Sequence, residues 1–123
     1  MTGTSEGGTL GVVGTMVWDR IFGPAADEPV EGWGGIASAL AGASAALPSG
    51  WRVLPLVKVG ADLEQSARSF VDGLPRVDAS GLLSVPEANN RVELRYVDEA
   101  ERTERLTGGV PGWSARALPV SYT

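Results

Sequence analysis

The stretch Glu31-Gly32-Trp33-Gly34-Gly35-Ile36-Ala37-Ser38-Ala39-Leu40-Ala41, a glycine-rich turn running straight into an alanine-rich helix, constrains this chain more than any other. Glycine has no Cβ, so at Gly34 and Gly35 the backbone is free to approach another group closely. The helix behind them turns its first N–H groups toward the same spot, which suits a polar or anionic ligand. The same residues also serve a tight turn feeding a closely packed helix, so context has to decide between the two readings.

The 123 residues are 43% hydrophobic and 20% charged, ordinary values for one globular domain. A formal net charge of -5 without any long basic run argues against nucleic acid or an anionic membrane surface as partner. Small molecules remain. The chain has no cysteine and no histidine, which rules out a disulfide framework, a thiolate or zinc site and a histidine base. Chemistry must therefore use carboxylates, hydroxyls, Lys, Arg and backbone. The start, Met1-Thr2-Gly3-Thr4-Ser5-Glu6-Gly7-Gly8, lacks the pattern of a secretory signal, and no apolar run is long enough to span a membrane. The expectation is a cytoplasmic protein with a flexible stretch over 1–9 and one partial domain over 10–123.

Leu10 to Asp19 is apolar and β-branched up to its last residue, the pattern of a parallel strand covered on both faces. That places Asp19 at or just beyond the strand's carboxyl end, where open α/β sheets bind ligands, although on position alone a turn residue or a partner for Arg20 is the better reading. Asp27 to Glu31 reads as loop or a short exposed strand. A helix follows from Gly35 to Leu47, with Ile36, Leu40, Ala43 and Leu47 at helical spacing and Pro48-Ser49-Gly50 as its stop. Trp51 to Val59 reads as a second strand with an irregularity at Pro55. Asp62 and Gln65 have capping-box spacing, and the helix they open presents Leu63, Ala67, Phe70, Val71 and Leu74 before Gly73 and Pro75 close it. Strand, helix, strand, helix predicts right-handed βαβ units on a parallel sheet.

From Leu82 the period changes to two residues. In Arg91 to Val97, Val92, Leu94 and Tyr96 fall on one face and Arg91, Glu93 and Arg95 on the other. Asp98 to Glu101 makes a turn and Arg102 to Thr107 a returning strand, so an antiparallel ribbon is added to the α/β layer. Its charged face either is solvated with cross-strand ion pairs or covers a ligand. After Gly108-Gly109-Val110-Pro111-Gly112, a short helix using Trp113, Ala117 and Leu118, with Ser114 as cap, leads to Pro119-Val120-Ser121-Tyr122-Thr123, which reads as a strand beginning. A core strand that only begins is expected of a fragment of a longer α/β protein.

Gly14-Thr15-Met16-Val17-Trp18-Asp19, Trp33-Gly34-Gly35-Ile36-Ala37, Val57-Lys58-Val59-Gly60-Ala61-Asp62 and the Asn90-to-Asp98 ribbon occur in the order found in ribokinase-like (PfkB) carbohydrate kinases. The resemblance covers about residues 10 to 123. It implies the N-terminal part of a three-layer α/β sandwich with an antiparallel β lid, whose strands fall at about 26–33 and 82–107. It further implies transfer of the γ-phosphoryl of ATP, with Mg2+, to a hydroxyl of a sugar or sugar-like molecule. Carried over, Asp19 holds substrate hydroxyls, and Gly34 and Gly35 admit the substrate and let the lid hinge. The chain departs from ribokinases proper at Val17, Ile36 and Ala39, where they have Asn, Lys and Asn. Arg95 stands where the lid is commonly apolar, which predicts a polar or acidic substrate held by that arginine. The catalytic Gly-x-Gly-Asp of the family is absent, so catalytic and nucleotide-site residues are expected beyond Thr123 and the chain alone is expected to be inactive. The alternatives are a stand-alone sugar-binding or dimerisation module, pairing as a homodimer through the lid, and an unrelated α/β binding protein.

Overall fold

In a computed structural model of the chain, the structure describes residues 7–24 and 28–114. The short helix and final strand expected after Ser114 lie outside the described residues, as do Asp27 and the first six residues of the N-terminal stretch. The elements are β1 (Thr9–Thr15), β2 (Trp18–Phe22), β3 (Val30–Trp33), α1 (Gly35–Ala46), β4 (Arg52–Gly60), α2 (Glu64–Asp72), β5 (Leu83–Val85), β6 (Arg91–Tyr96) and β7 (Arg102–Thr107). Parallel strands in the order β1-β4-β5 make a core sheet, and β3-β2-β6-β7 make a second sheet, the lid. No helix among the described residues is long and apolar enough to cross a membrane.

Strand β4 is buried from Val53 to Gly60, the signature of a strand covered on both faces. Val53, Val57 and Val59 point into a cluster with Ala37 and Leu40 of α1 and Ala67 of α2, so both helices lie on one face of the core sheet. The alanines let α1 lie close, and a Cβ on Gly14 would fall 2.7 Å from Ile36 Cδ1. Leu47 ends α1 with ψ 144° because a residue before proline is pushed out of the α region. Arg76 then reaches back, its guanidinium donating to Ser44 O and Pro48 O at 2.7 Å and satisfying carbonyls at the helix end.

Pro55 was expected to disturb its own strand; instead β4 runs unbroken, and the interruption sits in its neighbour. Val53 exchanges hydrogen bonds with Arg76 O and the Asp78 N–H, while the β5 ladder begins only at Lys58 opposite Leu83. Odd-numbered residues of β4 turn their backbone groups to that side, so Pro55, which has no N–H to give, faces the gap. A 3-10 turn, Ala79–Gly81, fills it, and there only glycine fits, since a Cβ on Gly81 would lie 2.2 Å from Pro55 O.

The expected single strand from Leu10 to Asp19 is two strands in different sheets. Met16, fully buried, still donates to Lys58 O at 2.9 Å, but the chain then leaves the core, and Asp19 lies within the lid rather than at the end of a core strand. The lid is not wholly antiparallel as expected, because its central pair, β2 with β6, is parallel. The reason is topological: β1 and β5 run in the same direction, and each feeds the next lid strand without turning back. Leu83–Val85 belongs to the core, so the later lid strands begin at Arg91 and not at 82.

Hydrogen bonds continue across the boundary between the two sheets. Gly34 N–H donates to Val17 O at 2.8 Å, Trp18 N–H to Asn90 O at 3.0 Å and Gly109 N–H to Ala88 O at 3.0 Å. Past β7, the returning segment is held by Lys58, 4% exposed, whose Nζ donates to Pro111 O and Gly112 O and lies 4.9 Å above the Trp113 ring. Hydrogen bonds to a charged group contribute about 1.5–3 kcal/mol each. Lys58→Met is therefore expected to speed amide hydrogen exchange at Val110, whose N–H is bonded to Asn90 Oδ1, by about tenfold or more, with β1 and β4 amides far from Lys58 unchanged; equal exchange in variant and parent would mean the lysine does not hold this strap.

Candidate functional site

The register of the lid assigns every side chain to one of its faces. Trp18, Arg20 and Phe22 share a face with Trp33 and Glu31 and with Arg91, Glu93 and Arg95. Asp19 and Ile21 share the other with Gly32, Val30, Val92, Leu94 and, through β7, Leu106. Arg95 therefore lies on the face opposite Asp19, and the structure does not bring the two together. Its guanidinium stacks on Phe22, 3.9 Å from the ring centroid, with Glu93 3.7 Å away. The resemblance put Arg95 at a lid position that faces the ligand; only the pairing of β6 with β2 fixes which alternate set faces Asp19.

Asp19 and Gly34 do meet. A Cβ on Gly34 would fall 2.8 Å from Asp19 Oδ2 and 3.1 Å from Oδ1, so the carboxylate occupies the space that a side chain would need. Gly34 has φ -85°, an ordinary value, which means close approach and not backbone freedom requires glycine there. Gly35, next in line, meets nothing within 4 Å, so its open side faces free space at the start of α1. The first helical bonds are Ala37 N–H and Ser38 N–H to Gly34 O, and no side chain caps this end. The N–H groups of Gly35 and Ile36 are thus left without an acceptor among the described residues, as expected of a helix start.

Asp19 does not pair with Arg20, whose contacts are Glu31 and Glu93 on the other face. Burial without a compensating cation raises its pKa above the ordinary 3.8. Beside it, hollows of about 200 Å³ and 330 Å³ open, the lining of the first including Asp19, Ile21, Glu31 and Trp33, that of the second Val17, Arg91, Val92, Leu106, Thr107 and Val110. Leu106 is 70% exposed and Val30 74%, so this face is apolar and uncovered among the described residues. A carboxylate, nearby N–H donors and an apolar wall suit a neutral molecule with several hydroxyl groups, each able to donate to Asp19 and accept from α1.

Sequence reasoning missed Asn89, fully buried where the two sheets join. Its Oδ1 accepts from Gly60 N–H at 2.8 Å, and its Nδ2 donates to Met16 O and Asn90 O at 3.0 and 2.9 Å. A Cβ on Gly60 would stand 2.2 Å from the Asn89 N atom, so the glycine ending β4 is required for this contact. Asp62 was expected to cap α2, but the helix has no side-chain cap, and the Asp62 carboxylate instead accepts from the Asn89 N–H and the Arg91 guanidinium, both at 2.7 Å. The signal available in advance was only a polar pair, Asn89-Asn90, ahead of an alternating strand.

Those contacts, first the Asn89 N–H and then Arg91, lower the Asp62 pKa below 3.8. Hydrogen bonding likewise lowers Asp78 and Asp98. A carboxylate depressed in the folded state adds stability above its unfolded pKa and loses it as pH falls through the folded value. The melting temperature is expected to drop on acidification below about pH 4. Asp62→Asn should flatten that drop; an identical pH profile would show that the Asp62 contacts carry no folding energy.

No known family profile matches the chain, and no curated protein matches it. Solved structures do. A nucleoside kinase of the ribokinase family from Methanocaldococcus jannaschii superposes with a TM-score of 0.63 at 16% identity, over 80% of this chain and 36% of that one. The fold is ribokinase-like. A Burkholderia thailandensis nucleoside kinase in complex with inosine gives a TM-score of 0.60 at 16% identity, over 81% of this chain and 37% of that one. A Cryptococcus neoformans ribokinase in complex with ADP gives 0.55 at 18% identity, over 95% and 43%. The ribokinase-like chain thus spans only about a third to two-fifths of the length of these kinases. Of the three-layer sandwich expected for the fold, the described residues supply the core sheet, the helical layer on one face and the lid.

Proposed function

We propose that this chain is the acceptor-binding part of a ribokinase-like phosphotransferase, which moves the γ-phosphoryl group of ATP to a hydroxyl of a neutral sugar or nucleoside. The observation that carries this reading is the Asp19 carboxylate, lying against Gly34 at the start of α1 with no hydrogen-bond or ion-pair partner among the described residues. An acceptor hydroxyl held there donates to Asp19 and accepts from the Gly35 or Ile36 N–H, while Val92 and Leu106 close over its carbon skeleton. A charged acid is disfavoured, since Asp19 would repel it and Arg95 lies on the far face.

ATP and Mg2+ are implied by the fold's relatives, and the described residues do not fit them. No group of three or more Asp or Glu is gathered for a metal, and the helix start at Gly35 sits beside a carboxylate that repels phosphate. No step of the transfer is therefore assigned to these residues. Catalytic and nucleotide-site groups are placed beyond Thr123 in a longer polypeptide, which works in the cytoplasm. A second reading, a binding module that pairs with its own copy through the lid, is favoured by the exposed Val30 and Leu106.

The test is a phosphorylation screen of the longer gene product with ATP and magnesium against neutral sugars, nucleosides and sugar acids. Turnover is expected with a neutral acceptor and none with the 123-residue chain alone. Activity of the isolated chain, or preference for an acid, would overturn the proposal.

A further inference from the structure

The face of the lid turned away from Asp19 carries Arg20, Arg91, Arg95 and Arg105 against only Glu31 and Glu93. Register places Arg20, Glu93 and Arg105 in one row across β2, β6 and β7, and Arg91 beside Thr107 in the next. Between these rows lies a cavity of about 110 Å³ lined by Arg20, Arg91, Val92, Glu93, Arg105 and Thr107. Three guanidiniums line it with one carboxylate, Glu93, while Glu31 and Asp62 stand against Arg20 and Arg91 from outside the lining, so among the described residues the free positive charge in the hollow is that of Arg105.

An alternating-charge strand face usually neutralises itself, and this one does so incompletely. Arg91 is held by Asp62 at 2.7 Å and Asn89 O at 3.2 Å. Glu93 reaches Arg20 and Arg95 only at 3.7 Å, well beyond the length of a charge-assisted hydrogen bond. The Arg20 Nε is enclosed and makes no hydrogen bond, although Glu31 Oε1 is 3.1 Å away, because the approach is misaligned. Arg105 has no carboxylate within 4.0 Å among the described residues. The Arg105 guanidinium and the loosely engaged Nη1 of Arg20, two strands away, thus belong to a concave space that also holds the Thr107 hydroxyl.

We propose that this hollow binds a phosphate group, either inorganic phosphate or the terminal phosphate of a small phosphate monoester. Guanidinium forks match phosphate oxygens in pairs, and Thr107 adds a neutral donor. Because Arg91 also belongs to the network at the sheet boundary, occupancy of the hollow is coupled to the position of the lid. The site lies across the lid from Asp19, with Arg91, Val92 and Thr107 shared with the hollow on that side, and its existence does not rest on the kinase reading.

The test uses the 123-residue chain. Amide chemical shifts are followed by NMR during titration with inorganic phosphate, with a sugar monophosphate, and with sodium chloride at matched ionic strength. Saturating shifts at Arg20, Arg105 and Thr107 are expected with the phosphates, weakened at least tenfold by Arg105→Gln. Arg102→Gln, on the opposite face of β7, should leave the affinity unchanged. Tighter binding of the monoester would identify a metabolite as the ligand, and equal binding would identify free phosphate. Shifts that do not saturate, that chloride reproduces, or that survive Arg105→Gln would refute the site.

Discussion

For the hydroxylated acceptor proposed above, Asp19→Ala is expected to lower the affinity by about a hundredfold or more, the result of losing two hydrogen bonds to a charged acceptor at about 1.5–3 kcal/mol each. Folding should not suffer. Burial raises the Asp19 pKa, so ionisation in the folded state is unfavourable. A raised carboxylate gives its greatest stabilisation below the unfolded pKa and loses it as pH rises through the folded value. Removing it should leave the melting temperature at pH 7 equal to or above that of the parent, while at pH 3 the variant gains no advantage. Ligand titration by calorimetry and thermal melts at both pH values check the two halves independently. Unchanged affinity would remove Asp19 from the site, and a collapsed melting temperature would make it a structural residue. Gly34→Val should reproduce the binding loss by a different route, because its side chain would need the space that the carboxylate fills.

Asn89→Ala is the second large effect, this time on stability. Truncation strands Gly60 N–H and Met16 O, both at buried residues, and takes one of two donors from Asn90 O, which keeps the Trp18 N–H. A buried donor or acceptor left without a partner costs about 1–3 kcal/mol, so the loss should come to about 3 kcal/mol or more. Chemical denaturation reads it as a lower midpoint at constant slope. Asn89→Asp is the informative companion, since it keeps Oδ1 as acceptor for Gly60 but loses the donors. A loss below about 1 kcal/mol for Asn89→Ala would show that water replaces the amide, and that the boundary between the sheets is more open than its burial implies.

The local elements were legible because each carries its own period or stop. Leu47 before Pro48 ended α1 within one residue, and Asp98 to Glu101 turned the ribbon as composition required. What escaped was set by pairing across the chain. Nothing local distinguishes Leu10 to Thr15 from Trp18 to Phe22, since the break between them comes where the Asn89 amide takes the Gly60 N–H and the Met16 O that would have continued the β1–β4 ladder. The misplacement of Arg95 has the same origin: alternation defines two faces, and only the register with β2 tells which one meets Asp19. Asp62 had the spacing of a cap and was claimed by Asn89 and Arg91 instead, a competition between groups 27 residues apart for one carboxylate. Asp19 and Gly34 came together as the motif order suggested, yet through a lid strand and not a core one.

Every lid strand enters or leaves the lower body through its own crossing, at Met16-Val17, Gly34, Ala88 to Asn90 and Gly108, and neighbouring crossings are tied to each other by backbone bonds. Points fixed in a row define an axis. A flap above them is expected to swing about that axis more readily than to slide sideways or twist, which must break several ties at once. Asp19, Val92 and Leu106 share one row just above it and are expected to move little in such a swing, while Phe22, Arg95 and Thr103, in a row further out, sweep the wider arc. The carboxylate and the apolar wall beside it thus keep their spacing near the pivot, and the outer rows supply the travel.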